Sequence, residues 1–422
     1  MTAAVDARPH PALRVSVGNR GTQGNAGSFA PTLDRDGRFV GFASAASNLV
    51  PGDTNHARDV FVRDRKHAVT VRVSVAGDGT QANGHSGGPA LSANGRVVAF
   101  WSTAANLVEH DTNGVRDIFV HDLANGETVR VSVGPSGAQA NAPSRYAALS
   151  ADGYVVAFRS DADNLVAGDT NATGDIFVHD RATGETTRVS VGRSDTQANG
   201  RSRDPSLSAH GDVVAFRSEA SNLVAGDTNR RGDIFVYDRR QSRTTRVDVG
   251  PGGMQAAGCG ATGCGCDPSL SADGRFVSFW SSATNLVPGD TNDAWDVFVR
   301  DRVKRLTTRI SVGGASTQAT RSSGEAPISA NGRFVAFTSL ASNLVAGDAN
   351  GTWDVFVRDR WRAETSRLAG AREGNRLSDD PAISGDGRFV AFHSLASNVV
   401  DGDTNGAADV FVLPRRIGSR RS

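Results

Sequence analysis

The chain has 422 residues and a mass of 44.0 kDa, too long for one small core and compatible with two or three ordinary domains or one large closed β architecture. Hydrophobic residues make up 38% and charged residues 22%, which supports a packed core and argues against disorder. With 46 basic against 45 acidic residues the formal charge is +1, so nucleic acid is not an expected partner, and no apolar run reaches the ~18 residues of a membrane helix.

Residues 1–11 read as an N-terminal tail. Asp6, Arg8 and Arg14 interrupt the first thirty residues and no apolar stretch follows, so no signal peptide is expected. Leu13 to Gly18, LRVSVG, is a lone strand with no companion before it. From there the chain repeats. A D-T-N block (D-A-N once), followed three residues later by D-[VI]-F-V, starts at Asp53, Asp111, Asp169, Asp227, Asp290, Asp348 and Asp403. The steps are 58, 58, 58, 63, 58 and 55 residues. In the third unit AALS is a first strand and a turn follows at Ala151 to Gly153. YVVAFRS is a second strand, apolar on both faces as in a buried sheet. A long loop through Asn164 and Asp169 leads to DIFVHD, and a turn at Ala182 to Gly184 leads to TTRVSV. In that last strand Val189 and Val191 alternate with Arg188 and Ser190, which predicts a half-exposed edge.

Four strands per unit at this period predict an all-β, seven-bladed β-propeller. First strands are expected near 31, 89, 147, 205, 268, 327 and 381. The last unit stops at Leu413-Pro414 without its fourth strand, and the lone N-terminal strand is the missing piece. The ring is therefore expected to span residues 12–413 as one domain, with residues 13–18 beside Asp409 to Leu413 and a basic tail over 414–422.

The repeat P-x-[LI]-S-x-[DN]-G-R-[FV]-V-[AS]-F, followed by D-[VI]-F-V-x-D, resembles the TolB-like propeller repeat over nearly the whole chain. TolB has six blades behind a separate N-terminal domain, unlike this chain. The resemblance implies a bacterial, exported, partner-binding protein. Without a signal peptide in the chain, a cytoplasmic location stays open.

Both long segments of each unit, the S-N-L-V-x-G-D-T-N loop and the T-Q-A-N-G segment, fall on one face of such a ring, which is the expected working surface. The oxygen ligands of the D-T-N blocks are Asp53, Asn55 and Asp59, then Asp111, Asn113 and Asp117, then Asp169, Asn171 and Asp175, then Asp227, Asn229 and Asp233. They continue as Asp290, Asn292 and Asp296, then Asp348, Asn350 and Asp354, then Asp403, Asn405 and Asp409. Acceptors at positions 1, 3 and 7 suit a hard cation such as Ca²⁺ and resemble the opening of an EF-hand loop. Structural Asx turns explain the same pattern without metal. The preceding asparagines, Asn48, Asn106, Asn164, Asn222, Asn285, Asn343 and Asn398, read as amides tying each long loop to its own backbone. His121 and His179 share a variable position and are expected to point outward. Cys259, Cys264 and Cys266 lie in the one longer linker, without a zinc spacing, and fit either one disulfide or a reduced loop.

Trp295 and Trp353 replace Arg58, Arg116, Gly174, Gly232 and Ala408 of other units just before the third strand, and are the candidate binding residues. No catalytic residue is assigned, because no nucleophile elbow, zinc-protease or P-loop motif occurs. The expectation is a non-catalytic, monomeric ring that binds a protein or glycan. An enzyme with one site at the channel mouth, of hydrolase or lyase type, and a purely structural calcium ring remain the alternatives. A convergent, non-repeated cluster of charged groups on the loop face would favour the enzyme.

Overall fold

The computed structural model describes residues 12–257, 267–368 and 373–415. Cys259, Cys264 and Cys266 fall outside them. Seven four-stranded antiparallel sheets follow one another around a ring, and the only helices among the described residues are single 3₁₀ turns such as Pro135–Gly137. No helix among these residues is long and apolar enough to cross a membrane.

Blade three shows the unit. Its strands are Ser144–Leu149, Val155–Ser160, Asp175–Asp180 and Glu185–Arg188, paired in that order. The second and third strands are buried on both faces because each blade is covered by two neighbours. Val156 and Phe158 pack with Ala99, Ile118 and Val120 of blade two. Val155 and Ala157 pack with Phe216 and Phe235 of blade four. A Phe pair bridges the second and third strands of every blade, from Phe42 and Phe61 at 5.8 Å to Phe392 and Phe411 at 6.0 Å. Burying each Phe contributes roughly 1.5–3 kcal/mol.

The ring closes as the sequence predicts. Leu13 pairs with Val412 and Arg14 with Phe411, so the N-terminal strand is the fourth strand of blade seven. Val15 is fully buried in the core shared by blades seven and one. The first strands begin about three residues earlier than expected, at Ser28, Ser86, Ser144, Ser202 and Ser378 in blades one to four and seven. A bulge follows, with positive φ at Ala30, Gly88, Tyr146, Asp204, Glu325 and Asp380.

At the tight-turn face, seven backbone hydrogen bonds run from blade to blade. Arg35 N–H donates to Ala93, Ala93 to Ala151, Ala151 to Ala209, Ala209 to Ala272, Ala272 to Ala330 and Ala330 to Gly385; the Asp386 N–H then donates back to the Arg35 carbonyl. This circle draws the inner strands together at that end. Gly37 of the first such turn has φ +72°, and a Cβ there would meet Phe389 of blade seven at 2.6 Å. The opposite end, where the long loops lie, carries the variable residues.

Two readings of side-chain direction are corrected. Arg188 and Ser190 do not face solvent: the Arg188 side chain is 10% exposed and Ser190 is buried. They point at the D-T-N block of their own blade, where a counter-charge is needed. His121 and His179 are also buried; each Nδ1 lies within 2.9 Å of a fourth-strand hydroxyl, Thr128 or Thr186. That threonine donates in turn to a carbonyl of the preceding blade, Val75 or Val133, so this position is a blade-to-blade contact. Burial lowers the proton affinity of both imidazoles.

Candidate functional site

Each D-T-N block is a latch. In blade one, Asn55 Nδ2 donates to Asp59 Oδ2 (2.8 Å) and to the Ala82 carbonyl (3.0 Å) of the following segment. Asn55 Oδ1 accepts from the Ala57 N–H at 2.9 Å, which is an Asx turn. Asp59 Oδ1 accepts from Ser74 Oγ at 2.5 Å, and Arg72 Nη1 lies 3.4 Å from Asp53 and 3.9 Å from Asp59. Arg130, Arg188, Arg246 and Arg309 stand in the same place against Asp111, Asp169, Asp227 and Asp290. The cation facing the carboxylates is thus a guanidinium from the fourth strand. Burial raises the proton affinity of Asp53 and Asp59, and the nearby arginine opposes it. Sequence carried the signal, since an Arg recurs 19 residues after the first Asp of six blocks.

Two blades vary the latch. In blade seven the partners come across the closure: Arg14 lies 3.5 Å from Asp403 and 3.3 Å from Asp409, and Gln23 donates to both. In blade six Glu373 replaces the usual Gln, so Asp348, Asp354 and Glu373 bring ligand oxygens within 4.8 Å of one another around Arg367. Asp354 is pushed up to about 6, by burial first. The preceding asparagines do not tie their own loop. Asn48 Nδ2 donates to the Gln23 carbonyl, and its Oδ1 accepts from the Asn25 N–H in the segment before the blade.

Trp295 and Trp353 are half-buried. Trp295 packs on Trp280 with ring centroids 4.8 Å apart. Their carbonyls accept from Ser323 and Ser378, the residues that open the inner strands of blades six and seven. Both tryptophans therefore stand at the rim of the central channel on the long-loop face.

That rim is where the repeat breaks down. The pairing of Ser28 with Ser44 and of Ser144 with Ser160 puts the start of each inner strand at the long-loop end. The residues there are Ala30, Gly88 and Tyr146 in blades one to three, but Asp204, Glu325 and Asp380 in blades four, six and seven, and Asp267 stands before the inner-strand Pro of blade five. Asp204 is hydrogen-bonded to Asp267, and Asp267 also feels the charge of Asp380, two blades on. Glu325 is hydrogen-bonded to Asp379 and accepts from the Asp380 N–H at 2.8 Å. Asp204 is pushed up to about 8, by burial first and then by the Asp267 charge. Glu325 is raised by burial and then by Asp379 and Asp380. Asp267 is raised too, chiefly by the protein crowded around its carboxyl, although the residue is exposed. We therefore place the shared proton on Asp204, whose side chain is only 14% exposed. His393 Nδ1 lies 3.7 Å from Asp380.

These acids escape a search for catalytic motifs because they are spread over four blades, with about 55–65 residues from one blade's acid to the next. The readable signal was an acid before or beside the inner-strand Pro in four units of seven. Arginines of blades three and four border these acids on one side. Arg145 and Arg159 share Asp161, at 3.8 and 2.5 Å, and Arg203 lies 3.7 Å from Asp204.

No protein-family model and no curated protein matches the chain. Solved structures do. An oligogalacturonate lyase in complex with manganese is similar at 13% identity and a TM-score of 0.57, over 98% of this chain and 96% of that one. The propeller domain of Cps50 (Swd1) from Myceliophteria thermophila is similar at 13% identity and 0.52, over 96% and 98%. TolB from Acinetobacter baumannii is also among the similar structures, at 14% identity and 0.41, over 85% and 76%. At these identities the likeness establishes the propeller fold alone.

Proposed function

We propose that the chain is a binding ring whose ligand enters the channel mouth on the long-loop face, and that the group it takes is a cation carried by a partner protein. The observation that carries this reading is the convergence of Asp204, Asp267, Glu325, Asp379 and Asp380 from four successive blades. Carboxyls this close repel when ionised, and a Lys or Arg side chain would relieve them. Trp295 and Trp353 on the same rim offer π faces to such a cation. The test is titration with capped lysine and arginine amides, read calorimetrically, alongside capture of the partner. Glu325→Gln with Asp380→Asn should weaken binding at least ~10-fold while the melt is retained. Unchanged affinity in that variant refutes the reading.

A second reading is enzymatic, and the same convergence of non-repeated acids on the loop face favours it. A proton-holding Asp204 next to Asp267 is the arrangement by which neighbouring carboxyls divide acid and base roles. Turnover lost in Asp204→Asn with ligand binding kept would favour it. For the D-T-N blocks we read latches neutralised by arginine. Calcium is the second reading, favoured at blade six by the third carboxylate of Glu373.

A further inference from the structure

On the blade-two side of the mouth, two arginines stand without an acid partner among the described residues. Trp101 of the second strand lies on Gly87 and Gly88, where a side chain at Gly87 would meet the indole at 2.7 Å. Arg58 and Arg116 both stand over this indole, 5.1 and 4.1 Å from its centroid. Neither guanidinium has a hydrogen bond or ion pair among the described residues, and both Nε atoms are buried and unpaired. The latch arginines also leave Nε unpaired, but each faces its aspartates. The Ser144 N–H donates to the Arg116 carbonyl, which brings Arg145 alongside. Burial, and then the charges of Arg145 and Arg58, lower the proton affinity of Arg116.

We propose that Arg58, Arg116 and Arg145, backed by Trp101 and Tyr146, form a subsite for a carboxylate of the partner protein. A planar guanidinium pair matches a carboxylate bidentately. Asp161 offsets part of the charge of Arg145, so the subsite suits a monoanion better than a phosphate dianion. Tyr146, 50% exposed and with φ +59°, stands at the open side. With the acids of blades four to seven across the channel, the mouth has one basic and one acidic arc. This inference deepens the cation-binding proposal and rests on the same mouth being a ligand site. A peptide segment carrying both charges would bridge the two arcs.

The experiment follows tryptophan emission during titration with a capped aspartate amide, bearing a side-chain carboxylate, and with N-acetylglycine, bearing a terminal one. Inorganic phosphate and chloride at equal ionic strength are the controls. Saturable change with either carboxylate, exceeding phosphate and absent in Trp101→Phe, is expected; the tighter of the two identifies the source. Arg58→Gln with Arg116→Gln should weaken it at least tenfold. Should that pair fail to fold, Arg145→Gln, whose side chain is one-third exposed, should still weaken it severalfold. The capped lysine amide, titrated in parallel, should bind these variants no more weakly than the parent. Loss of lysine binding alone in the parent would count against the acidic arc and leave this subsite standing. No saturation by carboxylate, tighter binding of phosphate, or saturation surviving the arginine substitutions overturns the subsite.

Discussion

Arg14→Met removes the guanidinium that crosses the ring closure. Asp409 is fully buried and the Asp403 side chain is 4% exposed, so neither gains enough water in return. Asp409 keeps Ser16 Oγ at 2.6 Å and both aspartates keep Gln23, but the guanidinium paired with them is gone. Breaking a buried pair by deleting one partner costs about 3–5 kcal/mol. Unfolding entropy scales as roughly 2.1 cal/mol/K per residue, so for a ring of about 400 residues the melt should fall by about 4–6 °C. Arg72→Met, which breaks the latch inside blade one, is the matched control. It should cost a similar amount without loosening the N-terminal strand. Differential scanning calorimetry with limited proteolysis reads both. Arg14→Met should release residues before Ser28 to protease at temperatures where Arg72→Met does not. A melt within about 1 °C of the parent, or equal protection of the N-terminal strand in both variants, would refute the latch as the closure's electrostatic anchor.

Three further outcomes are expected. Asp204 holds a proton in the folded ring up to about pH 8 but releases it near 3.8 when unfolded. The folded state binds more protons across that window, so this carboxyl's contribution to stability falls as pH rises; Asp204→Asn should flatten the pH dependence of the melt between 5 and 8, and an unchanged slope would remove Asp204 as its source. If arginines carry the counter-charge of the latches, melts in excess EDTA and in millimolar Ca²⁺ should coincide; a calcium-dependent rise restores coordination, with Glu373→Gln the first variant to examine. Trp295→Ala with Trp353→Ala should abolish partner capture with the ring intact, and retained capture would move the contact off this arc of the rim.

The propeller was legible because its causes are local and repeated. Alternating Val and Phe, A-D-G and T-G turns and a fixed period each act within about ten residues, and seven copies make the pattern plain. The broken unit at each end specified the closure, since an unpaired fourth strand leaves an open sheet edge. Where Arg188 points was not legible from strand alternation, which gives two faces but does not say which one meets a buried carboxylate; only its fixed spacing from the block's first Asp hinted at the pairing. His121 shows the same limit, because the neighbouring blade that covers it lies far along the chain.

Sequence alone determined that this chain is a ring of seven units with its loops gathered on one face. Only the tertiary structure decided what the mouth contains. Asp204, Asp267, Glu325 and Asp380 are ordinary single acids in four separate units, and Arg58, Arg116 and Arg145 are ordinary arginines in three. Closing the ring brings residues more than fifty positions apart into mutual contact. The physical reason is that repeat periodicity fixes each unit's shape, whereas Coulomb repulsion and burial depend on distances across the channel, which no single unit contains.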